Sequence, residues 1–168
     1  TIFFNHLNSY KENINKKDQK TTFISYYGDN ENQSFWNLYN LILDKFYKFG
    51  RYTAWFYLQH LKHTCNVNIE PPTLLLDDYS GSKSHRNGLL FALGEDHKIN
   101  EKLTKKEYQI LENKAAEILQ EIRNRFPENK KEFDNFSMET CLCSYKKLFR
   151  VSRGRYLGYY IGRQYEDI

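Results

Sequence analysis

The residues best equipped for chemistry fall in two short stretches. The first is Asp77-Asp78-Tyr79-Ser80-Gly81-Ser82-Lys83-Ser84-His85-Arg86-Asn87-Gly88, which gathers carboxylates, hydroxyls, an ammonium, an imidazole and a guanidinium. Small hydroxyls beside Lys and Arg can hold phosphate oxygens, and Gly81 lets the backbone turn. Arg86 can bind an anion bidentately, while Lys83 acts as a point charge. An imidazole such as that of His85 can serve as a general acid near neutral pH; Asp77 or Asp78 can accept a proton or bind a metal. The spacing is not that of a Walker loop. The segment reads as a ligand-holding loop, and the competing reading is an ordinary surface loop of turn residues.

The second stretch is Glu139-Thr140-Cys141-Leu142-Cys143-Ser144-Tyr145-Lys146-Lys147. On a helix Glu139 and Lys146 stand about two turns apart on one face, with Cys143 or Thr140 between them, so a carboxylate and an amine can face one cleft. Cys141 and Cys143 lack a second Cys/His pair at metal-binding spacing and read as buried structural thiols. Two weaker candidates are the His60/His63 pair, at i, i+3 on a helix, and Arg51, an anion binder at a helix junction. No metal and no cofactor is expected.

A third feature lies toward the end of the chain. Lys146, Lys147, Arg150, Arg153, Arg155 and Arg163 fall in a run, 144–163, without Asp or Glu, and Tyr145, Phe149, Tyr156, Tyr159 and Tyr160 are interleaved with them. Basic groups neutralise phosphates and aromatic rings stack on bases, so the mixture suits a nucleic-acid backbone. A solvated helix face beside a Tyr-rich core edge has the same composition.

The elements that must position these residues are mainly helical. Phe35, Leu38, Leu41, Ile42 and Phe46 recur at helical spacing behind Ser34, which reads as the N-cap. Phe49-Gly50 ends that helix, and another from Tyr52 to Thr64 carries Trp55, Leu58 and Leu61. Thr73-Leu74-Leu75-Leu76 is one turn of helix or a buried strand, and periodicity does not decide which. Thr104 with Glu107 forms a capping-box pattern ahead of a helix that Phe126-Pro127 stops, and Ser137 starts the last clear helix. We therefore expect residues 1–33 to be a polar segment packing on or leading into a single helical domain, 34–168.

The blocks Ser34-Phe35-Trp36-Asn37-Leu38, Phe49-Gly50-Arg51-Tyr52-Thr53-Ala54, Ser84-His85-Arg86-Asn87-Gly88-Leu89 with Ala92-Leu93-Gly94, and Thr140-Cys141-Leu142-Cys143-Ser144-Tyr145-Lys146-Lys147 occur in that order. This succession resembles the α-glutamyl/putrescinyl thymine pyrophosphorylase superfamily, and looks closest to its amino acid:DNA transferase branch. The resemblance implies a helical bundle related to helix-hairpin-helix DNA glycosylases. It also implies hypermodification of phage-type DNA, in which an amino acid or polyamine amine replaces the phosphate or pyrophosphate of an activated 5-hydroxymethyluracil. One departure is Ser144, which stands where relatives carry an acid.

With that chemistry in view, Asp78, His85 and Glu139 are the catalytic candidates. Arg51, Lys83, Ser84, Arg86, Asn87 and Lys147 would hold substrate or phosphate, and Lys146, Arg150, Arg153, Arg155 and Arg163 would hold the nucleic-acid backbone. The partners expected are DNA carrying a modified base and an amine co-substrate. The alternatives are a glycosylase-like enzyme excising a modified base, or a DNA-binding module without catalysis.

Composition narrows the classes. The 168 residues carry a net charge of +4, and 40% are hydrophobic and 27% charged, ordinary values for a folded domain. No apolar run approaches a membrane span and no signal peptide is visible. Three cysteines do not make a disulfide framework. A reducing cytoplasm, of a bacterial host or for a phage-encoded protein, is the expected setting.

Overall fold

The structure is a computed structural model that describes residues 2–14, 18–78 and 81–148. The chain divides into two compact units, Thr1–Pro72 and Thr73–Ile168. Among the described residues there are seven α-helices and no strand, as expected of a mainly helical chain.

The first unit holds α1 (Ile2–Ile14), α2 (Gln19–Ile24), α3 (Glu31–Lys45) and α4 (Arg51–Cys65). The apolar stripe read from the sequence is the buried one: Phe35, Leu38 and Ile42 on α3 and Trp55, Leu58 and Leu61 on α4. Phe35 stacks on Tyr39 and meets Trp55 edge-on, with ring centroids 5.4 and 5.8 Å away. Ser34 is not the cap. Asn30 caps α3 by accepting from the Gln33 amide at 2.9 Å, and Ser34 lies buried inside the helix. Its hydroxyl donates to the Asn30 carbonyl and accepts the Gly28 amide, so it ties the preceding turn down. Phe23 belongs to α2 and is buried.

The second unit is built from α5 (Lys83–Ala92), α6 (Lys105–Arg125) and α7 (Asn135–Leu148). Leu89, Leu90, Leu103, Tyr108, Leu111, Ala115, Met138 and Leu142 form its core with Leu74 and Leu76. The capping box opens α6: the Thr104 hydroxyl accepts the Glu107 amide, and the Glu107 carboxylate accepts the Thr104 amide. Ser137 is not the start of α7. Asp134 takes that place, accepting the Ser137 amide at 2.8 Å, while the Ser137 hydroxyl accepts the Asp134 amide at 2.9 Å.

Two sequence expectations fail here. The second half of the 77–88 segment is not a loop; residues 83–88 open α5, with His85, Arg86, Asn87 and Gly88 all buried. A polar run can be a core helix when its polar atoms find partners inside, and residue types alone do not reveal those partners. Thr73–Leu76 is neither helix nor strand. Leu74 and Leu76 are fully buried, Leu75 has a positive φ of 54°, and the Leu74 and Leu76 amides are satisfied by a side chain described below.

Candidate functional site

The packing of α5 on α7 is set by a glycine. A Cβ at Gly88 would overlap the carbonyl oxygen of Leu142 and lie 2.7 Å from the carbonyl carbon, so only glycine permits this approach. Residues one turn earlier on each helix, His85 and Glu139, are thereby brought face to face.

His85 Nδ1 lies 3.2 Å from Glu139 Oε1, with the two side chains 1% and 5% exposed. His85 Nε2 lies 3.0 Å from the Leu74 carbonyl oxygen. A carbonyl only accepts, so Nε2 carries a hydrogen and Nδ1 is the nitrogen turned to the carboxylate. Nδ1 and Oε1 then face each other lone pair to lone pair, a contact that a cation between them would hold. On the other side, the Cys143 thiol donates to Glu139 Oε1 at 3.3 Å, one helical turn along α7. Burial, ahead of the neighbouring Glu139 charge, pushes that thiol up to about 11; the Ser84 hydroxyl and the Lys146 charge pull the other way. The order outward is therefore Leu74 carbonyl, His85, Glu139, Cys143, Ser84, with Cys143 and Ser84 half-buried.

A residue that the sequence reading missed holds the inner end. Glu112 of α6 accepts the Leu74 amide at 2.9 Å and the Leu76 amide at 2.7 Å. Burial holds its carboxyl above the ordinary range, against those two hydrogen bonds. The signal was present: Glu112 flanks the apolar stripe of Tyr108, Leu111 and Ala115, where a carboxylate reaches the core only with partners.

The other sequence candidates are placed as follows. Asp78 shapes the turn before α5, accepting the Gly81 amide at 3.1 Å, while its carbonyl accepts the Ser82 amide and hydroxyl. Arg86 is fully buried in its unit. Asn87 is buried too; oriented with its nitrogen as donor, its amide reaches the carbonyls of Lys83 at 3.2 Å and Ile99 at 3.3 Å. Neither side chain opens to solvent. Lys83 is exposed and Lys146 and Lys147 are partly so. Arg51 begins α4 in the first unit, with its guanidinium 5.5 Å from the Trp55 ring centroid. His60 and His63 are exposed on α4, and no third ligand gathers with them among the described residues. Cys141 is exposed, against the expectation of a buried thiol, because it lies on the face of α7 opposite the core. Arg150, Arg153, Arg155 and Arg163 lie outside the described residues.

No helix among the described residues is long and apolar enough to cross a membrane. Comparison with known proteins places the sequence. The amino acid:DNA transferase family matches residues 3–155, and the chain belongs to that family. It is 28% identical over 131 residues to a serinyltransferase of Salmonella phage ViI, a match that covers 71% of this chain and 32% of the phage protein. The chain thus spans about a third of the length of that relative. No solved structure matches it.

Proposed function

We propose that this chain transfers the amine of an amino acid onto an activated thymine derivative in DNA. The observation that carries the reading is the buried His85–Glu139 pair, reached through half-buried Cys143 and Ser84, in a chain of the amino acid:DNA transferase family. The substrate that fits is a 5-hydroxymethyluracil whose oxygen carries phosphate or pyrophosphate. The amine nitrogen forms a bond to the 5-methylene carbon as the carbon–oxygen bond breaks, phosphate or pyrophosphate leaves, and the nitrogen gives up a proton.

Glu139 is the proposed acceptor of that proton, with His85 holding its Oε1 in place. Lys83, close in sequence to Ser84, is the proposed cation for the leaving phosphate. A polyamine in place of the amino acid, and kinship with helix-hairpin-helix glycosylases, belong to the same proposal. The short join between α3 and α4, 46–50, favours that kinship.

The test is nucleoside mass spectrometry of DNA carrying pyrophosphorylated 5-hydroxymethyluracil, treated with the protein and each of several amino acids. A mass gain matching one amino acid, with equimolar pyrophosphate release that Glu139→Gln reduces at least a hundredfold, supports the assignment. Abasic sites without any mass gain would replace it with base excision.

A further inference from the structure

The His85, Glu139 and Cys143 cluster has the makings of more than a hydrogen-bonded chain. Its ligand atoms all lie within 4.8 Å of one another. Nδ1 to Oε1 is 3.2 Å, and Sγ to Oε1 is 3.3 Å. With the bond lengths usual for zinc, neighbouring N, O and S ligands of one tetrahedral ion sit about 3.3–3.5 Å apart. Both contacts are within tenths of an ångström of that spacing, and Nδ1 and Sγ, within 4.8 Å of one another, need close by at most about an ångström to share an ion.

The imidazole is also oriented as a ligand. Nε2 donates to the Leu74 carbonyl, which turns the Nδ1 lone pair toward a carboxylate oxygen that itself presents lone pairs. Two such atoms are held at 3.2 Å by a cation between them, either a proton or a metal ion. Anchoring the remote ring nitrogen on a backbone carbonyl is the usual outer support of a metal-bound histidine. Here the support extends one step further, because Glu112 fixes the segment carrying that carbonyl through the Leu74 and Leu76 amides.

We propose that His85, Glu139 and Cys143 form a zinc site, in which Glu139 gives Oε1 to the ion and keeps its other carboxylate oxygen for the proton transfer proposed above. One imidazole, one carboxylate and one thiolate suit zinc or cobalt, and do not suit magnesium or calcium. Three protein ligands leave a fourth position. That position faces the Cys143 side, since Cys143 is half-buried while His85 and Glu139 are almost fully enclosed. Binding releases two protons, one from the thiol and one from the His85–Glu139 contact, and leaves a neutral cluster of Zn²⁺, carboxylate, thiolate and imidazole.

The experiment uses the full chain stripped with a chelator, checked as folded by near-ultraviolet circular dichroism, and titrated with Co²⁺. One equivalent should bind and raise a thiolate-to-cobalt charge-transfer band. The band should vanish in Cys143→Ser and persist in the Cys65→Ser/Cys141→Ser double variant. Glu112→Gln, which leaves all three ligands intact, should weaken binding by about 10- to 100-fold. A folded, stripped protein that shows no band, or a band that survives in Cys143→Ser, overturns the assignment and leaves a shared proton at the cluster. The readout needs no DNA, so it stands apart from the transferase test.

Discussion

Gly88 of α5 rests on the backbone of Leu142 of α7 at a distance that no other residue allows. The two helices that carry the site are joined through this point. A methyl at 88 would meet a carbonyl oxygen held in the α7 hydrogen-bond ladder, which cannot swing aside as a side chain tip can. Overpacking of this kind costs about 1–3 kcal/mol in a core. Gly88→Ala should lower the denaturant midpoint accordingly. It should also part His85 from Glu139, so that Cys143 becomes more open to alkylation. A variant with unchanged stability and unchanged Cys143 protection would show that the helices are not locked here.

Glu112 makes stability depend on pH with a definite sign. Its carboxyl is raised in the fold by burial. Between the ordinary glutamate value and the raised one, the native state keeps a proton that the unfolded chain has lost. The stability this contributes is full below the unfolded value and is lost as pH rises through the folded value. Glu112→Gln removes the titration, and its amide sets an N–H against one of the two backbone N–H groups, at a cost of about 1–3 kcal/mol. Urea denaturation across a pH series should therefore show the wild type's margin over Glu112→Gln narrowing as pH rises. A margin that widens would mean that the ionised form is the better partner of Leu74 and Leu76.

Cys143 should be the slow thiol. Burial and the Glu139 charge raise it to about 11, whereas Cys65 and Cys141 are exposed. Thiolate is the alkylating species, so its rate is set by the fraction ionised and by access. With iodoacetamide on chelator-treated protein at pH 8, peptide mass spectrometry should show Cys65 and Cys141 labelled well before Cys143. Glu139→Gln removes the neighbouring charge and should speed labelling of Cys143 alone. Equal rates at all three positions would contradict the burial and charge argument.

The outline of this protein was legible because apolar spacing and capping chemistry are local. Phe35, Leu38 and Ile42, and the Thr104/Glu107 box, point to their helices without knowledge of the fold. Glu139 and His85 could be named as candidates, yet their meeting depends on Gly88, whose role is a contact with α7 and leaves no trace in its neighbours. Residues 83–88 were misread as loop for a related reason. Arg86 and Asn87 are common in exposed loops, and only tertiary partners make them tolerable inside. The place of Glu112 beside the Tyr108, Leu111 and Ala115 stripe marked it as near the core, but its backbone-amide partners leave no pattern of their own, so its role went unseen.

Lys146 and Lys147, in the last turn of α7, offer the clearest described test of nucleic-acid contact. Each phosphate neutralised on a duplex contributes about 0.9 to the slope of log affinity against log salt. If both lysines touch phosphates, Lys146→Ala/Lys147→Ala should reduce that slope by about 1.8, and should weaken binding to all sequences alike. Fluorescence anisotropy of a labelled duplex at several salt concentrations measures both quantities. Neither lysine is part of the core cluster, so the melting temperature should hold and separate lost contact from lost fold. An unchanged slope would move the phosphate contacts away from the end of α7.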